Sequence, residues 1–135
     1  MKRPIEPTPR YATGRAMDKI AKLLGIVRDR SMQDWTYIIA DLDYIDQYWT
    51  VYNSLEQEDE RFTMMEILIE ATNQIADEEF EEYWAKLRTC LIQEIELHQF
   101  TVYYWCCFDN ENLEDCFYIS GPMRKLWKEL ENKDS

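Results

Sequence analysis

Glycine and histidine are scarce in this chain: its 135 residues include three glycines and a single histidine. Gly14, Gly25 and Gly121 are too scattered to build a loop that cradles phosphate. One imidazole excludes every arrangement that needs two, and a Ser-His-Asp or Cys-His site would have to use His98. The doubled Glu-x-x-His of di-iron bundles is absent. No apolar run approaches the ~20 residues of a membrane-spanning helix; the longest candidate, 100–108, is far shorter. No Cys-x₂-Cys pair occurs among Cys90, Cys106, Cys107 and Cys116, which argues against a zinc site and reads the thiols as small, buried, apolar groups. Asp41-Leu42-Asp43 and Asp109-Asn110-Glu111 lack the glycine and terminal glutamate of a calcium loop. No cofactor and no metal are therefore expected, and the chain reads as non-enzymatic.

Basic residues are also scarce where they would be needed to balance the charge. The chain holds 15 Lys and Arg against 27 Asp and Glu, a net charge of −12. Residues 1–30 are net basic, whereas residues 31–120 hold 21 acids against three bases. Such a surface repels phosphate and anionic headgroups, which excludes nucleic acid and membrane as general partners. It suits a basic protein. The acids cluster at 56–60, 77–82 and 109–115, where helices would begin and where carboxylates favour the helix dipole. The first residues carry charge with no apolar stretch behind them, so the expected setting is the cytoplasm with reduced thiols.

What is abundant is apolar and aromatic: 46% hydrophobic residues, including five Trp, nine Tyr and five Phe. That composition supports one mostly α-helical domain, a bundle of about five helices over 13–135, preceded by an extended, proline-rich arm at 1–12. Ala16, Ile20, Leu23, Leu24 and Val27 share one face of a first helix over 14–27. A helix over about 58–76 shows two adjacent apolar stripes, a face wide enough to meet several neighbours. Trp84, Leu87, Leu91, Ile95, His98, Val102 and Trp105 follow a 3–4 spacing that predicts a long central helix. β-favouring composition at 34–40 and 100–108 offers the alternative of a short strand pair, which would make the fold α+β. Asp41 or Asp43 is placed to cap a helix, as are Asp77 and Ser120. The apolar stripes suit a homodimer as readily as a monomer's core.

Aromatic and acidic residues interleave between 34 and 52. Ile45, Tyr48, Trp49 and Tyr52 are spaced to face the core, while Tyr44 and the acids beside it are read as exposed. The candidate partner-binding residues are Asp34, Asp41, Asp43, Tyr44 and Asp46, with Glu78, Glu79, Glu81 and Glu82. Carboxylates around aromatic anchors provide steering and burial for a Lys/Arg-rich protein. In this stretch, and in the Glu-rich runs 56–60 and 78–82, the chain resembles the small acidic immunity proteins that neutralise a bacterial toxin. The resemblance is one of type, without an aligned motif, and implies a stoichiometric inhibitor of a basic partner. Two other readings fit the sequence: a DNA mimic, with acids spaced like phosphates, or a small-ligand or enzymatic domain with a pocket of Trp84, Tyr103, Tyr104 and Trp105 around His98.

Overall fold

The computed structural model describes residues 6–32 and 34–133; residues 1–5 of the sequence-predicted arm lie outside them. Among the described residues there are seven α-helices and no strands. These are α1 (Gly14–Leu24), α2 (Trp35–Ile39), α3 (Ile45–Ser54), α4 (Glu58–Asn73), α5 (Phe80–Gln93), α6 (Ile95–Cys106) and α7 (Ser120–Lys133). Single 3-10 turns occupy Leu42–Tyr44 and Leu113–Asp115. Residues 6–12 carry no regular structure. The chain is mostly α.

Two compact units divide it, residues 11–83 and residues 6–10 with 84–133. In the first unit, α4 is the element the others cover: α1, α2 and α3 all pack on it. Phe62, Met64, Met65, Ile67, Leu68, Ile69 and Ala71 are buried around most of its circumference. A helix apolar on nearly every side can only be a core element. Its polar exceptions are tied to neighbours. The Lys19 ammonium of α1 meets Glu60 at 3.1 Å, and the Thr36 hydroxyl of α2 donates to Glu66 at 2.8 Å. Ile45, Tyr48, Trp49 and Tyr52 of α3 are buried, as their spacing requires.

In the second unit α6 and α7 pack together. Ser120 does not cap α7 from outside but is its first residue, and its buried hydroxyl donates to the Trp105 carbonyl at 2.7 Å. Arg124, one turn further on, reaches the open end of α6. Its Nε donates to the Cys106 carbonyl at 2.7 Å, and Nη2 donates to the Cys107 and Asn110 carbonyls at 2.7 and 2.8 Å. The last carbonyls of a helix have no partner within it, so a guanidinium there does the work of a C-cap. Arg88 of α5 and Glu129 of α7 form an ion pair.

Three expectations change. The helix over 14–27 stops at Leu24, because Gly25 turns left-handed (φ 72°) and its N–H closes onto the Lys22 carbonyl. Val27 is consequently 93% exposed; Leu23, still within α1, is 47% exposed, and neither is core. The helix that the others cover in the first unit is α4, and the predicted long helix is two: Glu94 leaves helical geometry (φ −119°, ψ 38°), and its carbonyl restarts the ladder by accepting from Leu97 and His98. The apolar stripe runs across this break with Leu87, Leu91, His98, Val102 and Trp105 all buried, which is why periodicity did not reveal it. Finally, 35–39 and 95–106 are helical in place of the alternative strand pair. Tertiary burial of Trp35 and Thr36 overrides their β propensity.

Candidate functional site

Two acidic segments far apart in sequence meet in the first unit. One is 41–46, the turn into α3; the other is 77–83, the turn into α5. Gln74, just past the end of α4, joins them. Its amide nitrogen donates to the Ala40 carbonyl at 2.9 Å, and its oxygen accepts from the Leu42 N–H at 3.1 Å. Tyr48 holds the same strand of backbone from beneath: its hydroxyl donates to the Ile39 carbonyl at 3.3 Å and accepts from the Asp41 N–H at 3.1 Å. Each segment is pinned by its own first aspartate. Asp41 accepts from the Asp43 N–H at 2.9 Å, and Asp77 accepts from the Glu79 N–H at 2.9 Å. Between them lies a cleft of about 110 Å³, lined among others by Leu42, Ile45, Ile75, Glu79 and Tyr83.

The electrostatics record the convergence. The Tyr83 phenol titrates above its ordinary value chiefly because the Asp46 carboxylate stands near it, then through burial, then through Glu79 and Glu82. Residues from both segments thus act on one ring. Asp43, Tyr44, Asp46, Glu78, Glu79, Glu81 and Glu82 are all exposed, Tyr44 by 56%. Among the described residues, none of these carboxylates or that of Asp41 takes part in an ion pair. Arg61 is the one basic residue between positions 31 and 83, and it donates to the Glu56 carbonyl at 2.7 Å. The negative field of these segments is therefore left for solvent or a partner to answer.

Asp34 is placed differently. It is exposed at the start of α2, where its charge acts on Glu66, and the contacts that join the other candidates do not include it. Glu66 is the inward-facing acid of α4. Burial pushes its carboxyl above the ordinary value, against the hydrogen bonds from Thr36 and Tyr37. Glu70, one turn on, is raised by burial as well, opposed by Gln74. The 56–60 run differs from 77–82 in having Lys19 of α1 against Glu60. Tyr83 and Gln74 escaped sequence reasoning. Tyr83 directly follows the Glu-rich run, a usable signal; nothing local marks Gln74.

The aromatic pocket expected around His98 is arranged otherwise. His98 is fully buried, with Nε2 3.9 Å from the Glu94 carboxylate. Tyr103 and Tyr104 line an open cleft of about 460 Å³, whereas Trp84, Trp105 and His98 are buried and are not among its lining residues. Cys106 is the most enclosed thiol, its pKa pushed up to about 12 by burial. Cys90, Cys107 and Cys116 are only half-buried, a correction to their reading as core residues. The Cys116 thiol donates to the Cys107 carbonyl at 3.6 Å. Among the described residues no three His, Cys, Asp or Glu side chains group as a metal ion would require, and no helix is long and apolar enough to cross a membrane. No family model, curated protein or solved structure matches the chain.

Proposed function

We propose that this protein is a non-enzymatic binding module whose acidic face, segments 41–46 and 77–83, docks onto a Lys/Arg-rich protein. The supporting observation is the meeting of Asp46, Glu79 and Glu82 at Tyr83, among carboxylates that form no ion pair within the described residues. Exposed charge of one sign raises the rate of encounter with a partner of the other sign. Tyr44 and Tyr83 supply aromatic surface that a partner can cover, the residue type that most often anchors an interface. The type-level resemblance to immunity proteins narrows the partner to a basic toxin, which the module inhibits by stoichiometric cover.

The immobilised full chain should retain basic proteins from a lysate of its source cells at low salt and release them as salt rises. The variant Asp46→Asn/Glu79→Gln/Glu82→Gln should lose them, while Glu56→Gln/Glu58→Gln keeps them. Equal retention by native protein and triple variant would overturn the electrostatic reading.

A further inference from the structure

The second unit carries a site of a different chemistry. Phe100, Tyr103 and Tyr104 lie three and four residues apart on α6, which sets their rings on one face of the helix. Phe117, from the loop before α7, joins them in lining the cleft of about 460 Å³. Cys107 and Phe108 line it as well, with two carboxylates, Glu6 from the N-terminal segment and Asp109 just past α6. Both are exposed, and neither is in an ion pair among the described residues.

The rings are held from behind. Phe117 packs at 4.6 Å and Tyr104 at 5.8 Å on the buried Trp105, and Tyr103 packs at 5.4 Å on Trp127. They are therefore placed before any ligand arrives, which lowers the ordering cost of binding. Yet Tyr104 remains 47% exposed and Phe117 40%. Phe108 also borders the cleft, with the Arg124 guanidinium 5.5 Å from its centroid. The donors of that guanidinium are already directed at three carbonyls.

Aromatic rings and carboxylates together select charge and hydration. An anion is repelled by Glu6 and Asp109. A neutral ligand must displace their water without compensation. A primary ammonium surrenders strong hydrogen bonds to water on entering an aromatic cleft and must recover them from the exposed carboxylates of Glu6 and Asp109. A quaternary ammonium has no N–H to lose and binds ring faces well. We propose that this cleft binds a trimethylammonium head group, carried by a small molecule or by a methylated lysine. The inference shares no residue with the acidic face and stands or falls separately from it.

The test titrates the full chain with choline, with a trimethyl-lysine peptide, and with 3,3-dimethylbutan-1-ol, the uncharged isostere of choline, following tryptophan fluorescence and calorimetry. One or both ammonium ligands should bind saturably, the tighter naming the source, and the isostere on the order of tenfold more weakly. Tyr104→Ala should weaken binding about tenfold. Glu6→Gln and Asp109→Asn, at exposed positions where folding is not at stake, should each weaken it severalfold. Equal binding of choline and its isostere would overturn the proposal, as would no saturable binding of either ammonium ligand at tens of millimolar.

Discussion

Arg124 is the side chain whose removal should reveal most about how the second unit is held. Three of its hydrogen bonds end on the carbonyls of Cys106 and Cys107, at the C-terminal end of α6, and of Asn110 in the loop beyond, at 2.7, 2.7 and 2.8 Å. Its Nη2 also lies 3.6 Å from the Cys116 sulfur. A hydrogen bond to a charged group contributes about 1.5–3 kcal/mol, so the three bonds set an upper limit of ~9 kcal/mol. The site is only half-buried, and water can satisfy part of what the guanidinium leaves. Arg124→Met, which keeps most of the aliphatic stem, should then cost ~3 kcal/mol. Arg124→Lys retains the charge at the helix end but cannot present the fork, and should cost ~2 kcal/mol. With a urea slope of ~2 kcal/mol per molar, the Met variant should unfold at ~1.5 M less urea. Hydrogen exchange should locate the loss at 104–110 and the first turn of α7. A Met variant within ~0.5 kcal/mol of native, or a Lys variant equal to native, would refute the fork as the clasp between α6 and α7.

Three further outcomes follow from the same geometry. The Tyr83 phenol, followed by NMR of labelled tyrosine, should titrate above 10.0, and Asp46→Asn should bring it back towards that value; an unresponsive Tyr83 would separate the two acidic segments. The folded-state pKa of Glu66 lies above its ordinary 4.5, so the folded state favours the protonated form; relative to Glu66→Gln, the native protein should lose stability as pH rises from 4.5 through the raised value, and a relative gain over that range in urea titrations would contradict the burial argument. Gly25 and Cys107 both sit in left-handed geometry, φ 72° and 58°. Gly25→Ala should cost ~1 kcal/mol and Cys107→Gly should add up to ~1 kcal/mol, and melting curves moving the opposite way would contradict the strain assigned there.

The helical class was legible because stripes such as Phe62, Met65 and Ile69 follow the turn of a helix whatever they pack against. That α4 meets more than one neighbour was legible too, in its second stripe. What one-dimensional pattern could not show were events a single residue wide. The break at Glu94 leaves the phase of the buried stripe nearly intact, and Gly25 ends α1 by its φ, not by its hydropathy. The strand alternative failed for Trp35–Ile39 because β propensity reflects surroundings: Trp35 and Thr36 are buried, and α2 packs on α4. Within the candidate site, exposure of Asp43 and Tyr44 was legible in their place just ahead of the first core position of α3, and that of Asp46 in its place between Ile45 and Tyr48. Their meeting with 77–83 was not. It depends on a Gln74 amide bridging residues more than thirty positions away, and no local signal marks such a bond.

The central claim is that 41–46 and 77–83 present one unanswered negative face to a basic protein. The most direct measurement is backbone amide NMR of the labelled full chain titrated with a retained basic partner. The largest shift changes should fall at 41–46 and 77–83 and should fade by ~0.5 M salt, where the screening length is a few ångströms. Largest changes on α7 or at 6–10, or changes indifferent to salt, would contradict it.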